Sequence, residues 1–262
     1  MLASIVAVGL SDDIRYLPVW AKLIGEVSIA CAAVALGFSW HVSDSAGINA
    51  GFSVLWMVGL TNSFNLLDNM DGLASTVAVL SLAAIAILVP GTAPIAVPVA
   101  GAALGFLLIN RPPARMYMGD AGSLMLGFAV ALCTIRAANS SQGLHSAVLL
   151  IVPVAVAVFD TSLVIVSRLA SGRPVQLGGK DHFSHRLRLL GWSNYQVLGA
   201  TTVACISAFG AAALAVRFPM SDAWLALPIA AAFAVAWVQL LRVDPYAGTI
   251  QPVLEVRSAD GV

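Results

Sequence analysis

The chain is a succession of apolar runs, each about as long as a helix needs to cross a bilayer, separated by short polar or Pro/Gly breaks. Crossing about 30 Å of hydrocarbon at about 1.5 Å per residue takes about 20 residues. Runs of that order lie at roughly 19–39, 48–67, 72–90, 93–110, 121–136, 145–168, 195–216 and 222–241. They predict an all-α fold, a polytopic transmembrane helical bundle with eight full spans. Residues 1–10 are apolar too but reach only half the thickness, and read as a partial N-terminal span. A signal peptide does not fit, because Met1 has no basic region after it and an Asp pair follows the run. The domain reading is one integral membrane unit over 1–241, with a polar loop at 169–193 and a tail at 242–262.

Composition supports the same class. The chain is 60% hydrophobic and 10% charged, where soluble domains carry about 45–50% and about 25%. Thirteen basic and thirteen acidic residues cancel, so no bulk charge attracts nucleic acid. Cys31, Cys133 and Cys205 sit in apolar runs without CxxC or Cys/His spacing, which argues against disulfides or a zinc site.

Lys and Arg placement predicts orientation, since cytoplasmic loops hold the excess. One set of alternate loops takes Arg15, Lys22, Arg111, Arg115, Arg168, Arg173, Lys180, Arg186, Arg188, Arg242 and Arg257, and the other takes only Arg136 and Arg217. The first set, with the C-terminus and the loop at 169–193, is expected in the cytoplasm.

Four polar clusters project onto that side. The first is Ser11-Asp12-Asp13-Ile14-Arg15, with Lys22 and Glu26 following. It reads either as a cation or substrate site or as a solvated helix end paired with Arg15. Helical neighbours point about 100° apart, so Asp12 and Asp13 should not share one role. In the second, Asn62, Asn65, Asp68 and Asp71 recur every three residues and so share a helix face running from the bilayer to its edge. A polar ladder at that depth lines a cavity or bonds helices together.

The third cluster runs from Asn110 to Ser123 and contains Tyr117-Met118-Gly119-Asp120-Ala121-Gly122-Ser123. A Gly-Asp-x-Gly-Ser turn opening a helix offers free N–H groups to a phosphate and a carboxylate to its Mg²⁺; alternatively Asp120 caps its own helix. The fourth is Gly178-Gly179-Lys180-Asp181-His182-Phe183-Ser184-His185-Arg186, where two histidines join the only dense basic patch, which can bind phosphate. Positive-inside charge explains the arginines but not the histidines. His41 and His145 fall on the other side and carry no assigned role. Asp160, deep in a span, is either functional or the structural partner of Asn62 or another buried polar group.

Asp12-Asp13 with Lys22, then Asn65-x-x-Asp68-x-x-Asp71-Gly72, then Met118-Gly119-Asp120-x-Gly122-Ser123, then the His loop, together resemble the polyprenyl-phosphate N-acetylhexosamine-1-phosphate transferases of glycosyltransferase family 4. The match extends in order from residue 9 to about 194, and Asp160 and Arg168 also resemble the family's late helix. The resemblance implies transfer of a sugar 1-phosphate from a UDP-sugar to undecaprenyl or another polyprenyl phosphate, with release of UMP and start of a cell-envelope polysaccharide. It implies Mg²⁺, with Mn²⁺ as a substitute. Asp120 would be the metal ligand, Asp12 or Asp13 would act on the lipid phosphate or assist the metal, and Asn65, Asp68 and Asp71 would hold the nucleotide. Tyr117 would stack on uracil, and His182 and His185 would contact phosphates or sugar, with Lys22, Lys180 and Arg186 also in the binding set. The setting would be the bacterial inner membrane, with the active site on its cytoplasmic face, and a homodimer is compatible with the resemblance.

Two departures from the family pattern carry expectations. The family's His-x-His-His run reads His182-Phe183-Ser184-His185 here, which favours the WecA/TagO type and UDP-N-acetylglucosamine over the MraY type. The family has two further helices before the Asp pair, so the chain is expected to be a fragment, to have a misplaced start, or to be a truncated homologue that binds lipid or nucleotide without turnover, alone or beside an intact subunit.

Overall fold

The structure, a computed structural model, describes residues 1–175, 178–218 and 227–246. Eleven α-helices follow one another with no strand among the described residues: α1 (Leu2–Arg15), α2 (Val19–Ala35), α3 (Ala46–Leu67), α4 (Leu73–Leu88), α5 (Ala93–Asn110), α6 (Gly119–Ala138), α7 (Gly143–Ile151), α8 (Ala155–Ala170), α9 (Phe183–Leu189), α10 (Asn194–Arg217) and α11 (Leu227–Leu241). The expected all-α membrane bundle is what the chain forms.

Five helical stretches are long and apolar enough to cross a membrane: Ala46–Leu67, Pro90–Asn110, Gly119–Ala138, Gly143–Ala170 and Asn194–Arg217. α2, α4 and α11 are apolar but shorter, at 17, 16 and 15 residues. The first part of the expected span 222–241 lies outside the described residues, as do most of the tail at 242–262, Arg257 within it, and residues 176 and 177 of the polar loop. The span expected at 145–168 is not one helix. Pro153 has no N–H to give and its ring crowds the preceding turn, so α7 ends in a short 3-10 turn, Val152–Val154, before α8 resumes. Ser81 of α4 donates to the Pro153 carbonyl at 2.7 Å and steadies the break.

α6 runs through the middle. Fourteen of its twenty residues are buried, whereas α5 buries only Ala96, Val99, Ala103 and Asn110 and turns its remaining faces outward. In lipid no hydrophobic difference drives such helices together, so small residues and interhelical hydrogen bonds do. Gly9 of α1 lies so close to α6 that a Cβ there would stand 2.5 Å from the Asp120 carbonyl, and one at Gly127 would stand 2.7 Å from the Thr61 Cα. Trp56 Nε1 of α3 donates to Thr134 Oγ1 of α6 at 2.9 Å.

Side-chain hydrogen bonds sort the helix ends into two layers. At one end, Arg136 reaches the Gly91 carbonyl, Asn139 the Ser39 carbonyl and Trp40 the Ser146 hydroxyl. At the other, α1, α2, α3 and α6 meet around Lys22, and the 111–118 loop and α9 dock beside the α3–α4 turn. Every residue assigned to the candidate site lies at this second end.

Candidate functional site

Lys22, near the start of α2, supplies the cation about which the acidic residues gather. Its Nζ bonds the Asp120 carboxylate of α6, donates to Asn65 Oδ1 of α3 at 3.2 Å, and lies 3.4 Å from Asp12 Oδ2 of α1. Asn65 Nδ2 in turn donates to Asp120 Oδ1 at 2.8 Å and to Ser123 Oγ at 3.0 Å. Four helices therefore share one polar node. Asp12 Oδ1 also accepts from Leu17 N at 2.7 Å, which closes the turn between α1 and α2 and aims the other oxygen at Lys22.

Asp13 does something else, as its angular separation from Asp12 demands. Its two oxygens accept the backbone N–H groups of Asp120 and Ala121 at 2.8 and 3.1 Å. α6 has no side-chain cap of its own, so a carboxylate from another helix supplies it, favourably placed at the positive end of the helix dipole. This corrects two sequence expectations. Asp120 does not cap its own helix, and the N–H groups expected to cradle a phosphate are already taken by Asp13, which holds α6 rather than reacting atoms. Gly119 accepts φ +64° and leaves room for that cap: a Cβ there would lie 2.8 Å from Asp13 Oδ2.

α3 ends at Leu67, so only Asn62 and Asn65 of the expected ladder share its face, and Asp68 and Asp71 fall in the α3–α4 turn, where the chain has left the helix. Asp71 Oδ2 accepts from Ala114 N at 3.0 Å, and Asn110 bridges Gly72 N and the Met116 carbonyl, both at 2.8 Å. These bonds hold the 111–118 loop over the turn, so Asp71 positions the loop. Tyr117 projects from that loop, 79% exposed. Asp68 accepts no hydrogen bond or ion pair from any described residue. Burial pushes its carboxyl up to about 6, with Asp120, Asp13 and Asp71 adding their repulsion. One lysine thus faces an excess of carboxylates.

The His loop is built on charges buried in α8. Asp160 accepts from His182 Nδ1 and from Phe183 N, both at 2.8 Å. Arg168 forms a bidentate pair with Asp181 at 2.6 and 2.9 Å. Burial alone would raise the Asp181 carboxyl, but Arg168 holds it below the ordinary range. Asp160 is therefore the partner of His182 rather than of Asn62, which bonds Glu26 instead. His182 is 3% exposed and keeps Nε2 as its unassigned ring nitrogen. His185 stacks edge-on to it at 6.0 Å; burial, then the neighbouring His182, lowers its pKa. Ser184, the family's missing histidine, donates to Asn69 Oδ1 at 2.5 Å and ties the loop to the acidic turn. Lys180 is exposed.

Arg186 requires a correction. It is fully buried, and its guanidinium is spent on the carbonyls of Asp181, Leu240, Leu241 and Val243 and on Ser167 Oγ. It clamps the loop to the end of α11 and leaves no face for phosphate. Sequence reasoning gave no role to Asn69 and named Glu26 only as a neighbour of the first cluster, without a partner. Asn69 sits 115 residues from Ser184, and no periodicity links them; a lone Glu one turn past Lys22 was the available signal for the other.

Among the described residues, no three His, Cys, Asp or Glu side chains stand close enough to hold a metal by themselves. The arrangement offers a carboxylate pair, Asp12 and Asp120, sharing one ammonium, and a third, Asp68, without a partner. Negative charge is therefore in excess at this end of the bundle, beside the loop that carries His182 and His185.

A model of the family described as "Glycosyl transferase family 4" matches residues 1–138. The chain is 31% identical over 204 residues to a probable undecaprenyl-phosphate N-acetylglucosaminyl 1-phosphate transferase of Bacillus subtilis, covering 72% of this chain and 57% of that one. It is 31% identical over 278 residues to the decaprenyl-phosphate N-acetylglucosaminephosphotransferase of Mycolicibacterium smegmatis, covering 92% and 68%. A phospho-N-acetylmuramoyl-pentapeptide-transferase of Levilactobacillus brevis is 32% identical over 183 residues, covering 68% and 54%. The chain thus spans about half to two thirds of the length of these relatives. A family match over more than half of the chain, on a helical membrane bundle whose polar node is built from the matched segment, makes the chain a member of glycosyl transferase family 4.

Proposed function

We propose that this protein transfers N-acetylglucosamine 1-phosphate from its UDP derivative to a polyprenyl phosphate, releasing UMP, at the cytoplasmic face of a bacterial inner membrane. The observation that carries the reading is the node of Lys22, Asn65 and Asp120 at one end of an apolar bundle, with Asp68 unpaired beside it. A polar donor substrate and a lipid-anchored acceptor can meet only at such a boundary.

Mg²⁺ fits the donor set, because it is usually bound by one or two carboxylates with substrate phosphates completing its shell. Asp120 is its protein ligand in this reading, and when bound it would supply charge neutralisation of the diphosphate. The acceptor monoester has its second pKa near 6 and is largely dianionic at neutral pH. Its oxygen attacks the sugar-bearing phosphorus, the bond to the bridging oxygen breaks, and UMP leaves with that electron pair. No strong base is needed. Asp12 therefore positions the acceptor through Lys22 and the α1–α2 turn. In this reading Asp68 would contact the nucleotide, and the exposed Tyr117 ring would stack on its base. His185, whose imidazolium form burial and His182 disfavour, would contact the sugar or its phosphate together with Lys180.

Purified protein, undecaprenyl phosphate, labelled UDP-N-acetylglucosamine and Mg²⁺ should yield labelled lipid and UMP in equal amounts. Asp120→Asn should lower the rate at least about 100-fold, since a metal of this kind supplies several kcal/mol. Nucleotide binding without turnover would instead support a non-catalytic homologue, and full activity in Asp120→Asn would sink the assigned site.

A further inference from the structure

Glu26 has no part in the reaction just described, yet it is 2% exposed inside a helix bundle. Its Oε2 accepts from Asn62 Nδ2, and its Oε1 is buried with no hydrogen-bond partner. A carboxylate oxygen left unpaired away from water is costly, and such an atom calls for a donor that reaches it in another state of the protein. The candidates are few. Asn62 already donates to Glu26 and to the Val58 carbonyl. Lys22 lies four residues earlier on α2, so it shares a helix face with Glu26. Its ammonium has three donors on a flexible four-carbon stem.

The polar residues of α2 and α3 form two levels. At the upper level Lys22 meets Asp120 and Asn65; at the lower, Glu26 meets Asn62. Each level pairs one carboxylate with one asparagine, and the asparagines are one helical turn apart. Only the upper carboxylate has its cation.

We infer that Lys22 is a two-position cation and that Glu26 is its second station. The inference rests on the proposal that a divalent cation binds at Asp120. A cation arriving there meets the Lys22 ammonium on the same carboxylate, and like charges cannot share it without cost. Lys22 then turns down one helical level and donates to Glu26 Oε1. Glu26 is thus a positioning residue: it weakens the competition between Lys22 and the metal for Asp120 while keeping the ammonium within the site.

The test is direct binding of Mn²⁺, followed by its EPR signal, to the full chain in detergent without substrates. Glu26→Gln should weaken Mn²⁺ binding about tenfold, within the usual range of coupling between sites. Lys22→Met should tighten it, and should make Glu26→Gln silent when the two are combined. An unchanged affinity in Glu26→Gln would overturn the inference, as would a loss of the same size with and without Lys22, which would mark a direct field effect. Should Glu26→Gln fail to fold, Glu26→Asp, which keeps the charge but shortens the reach, is expected to fall between the two and to show the same dependence on Lys22. If the unaltered protein binds no Mn²⁺, the metal reading of the site fails first and this inference with it.

Discussion

Two carboxylates side by side on α1 have different partners because consecutive helical residues diverge by about 100°: Asp12 turns to Lys22 and Leu17 N, Asp13 to the N-terminus of α6. Asp13→Ala should lower the melting temperature by removing a cap worth about 1 kcal/mol. Asp12→Asn should leave melting nearly unchanged and lower turnover at every pH; full rescue at high pH would make Asp12 a general base and contradict the positioning role. Asp68 gives a pH signature. Its carboxyl is raised from 3.8 to about 6 by burial and acidic neighbours, so the folded protein holds that proton more tightly than the unfolded chain. The associated stability is complete below the unfolded value and is lost as pH rises through about 6. In metal-free protein, Asp68→Asn should therefore melt progressively higher than the unaltered chain between about pH 4 and 7. A melting difference that does not change with pH would refute this.

At the scale of elements, the site depends on how closely α1 and α3 approach α6. The crossings are made at Gly9 and Gly127, where any Cβ would strike backbone atoms rather than a yielding side chain. Gly127→Ala and Gly9→Ala should each cost about 1–3 kcal/mol, as overpacking does. Gly9→Ala should also depress activity, because it presses on Asp120 itself. Gly105→Ala, with nothing within 4 Å of the added Cβ, is the matched control and should be silent in both assays. Most spans were legible from hydropathy alone, since length and apolarity are local properties. The expected span at 145–168 ran straight through Pro153; the break there is steadied by α4, whose Ser81 binds the carbonyl at the break. The helix at Phe183–Leu189 falls in the stretch expected to be a polar loop; its start is fixed by Asp160, a residue in a different helix.

For the whole molecule, the His loop is suspended between α8 and α11. Asp160 and Arg168 hold it from one side, and Arg186 fastens it to the carbonyls that end α11. Arg186→Gln should leave those carbonyls underpaired and loosen the loop. Limited proteolysis within 169–193 should then speed up about tenfold, since cleavage follows the population of the open form. A cleavage rate that stays the same would return Arg186 to the surface role expected from its sequence context.

The membrane class and the gathering of the polar clusters at one end of the bundle followed from the sequence alone, because the length of an apolar run and the polar breaks between runs are local properties. Which residue meets which was decided only by the tertiary structure. Asp13 on α6, Asp160 on His182, Asn62 on Glu26 and Ser184 on Asn69 are contacts between elements far apart in the chain, set by helix packing. Arg186 is the clearest case: a basic residue in a polar loop looks like a phosphate ligand until packing buries it and turns its guanidinium to the end of α11, the Asp181 carbonyl and Ser167.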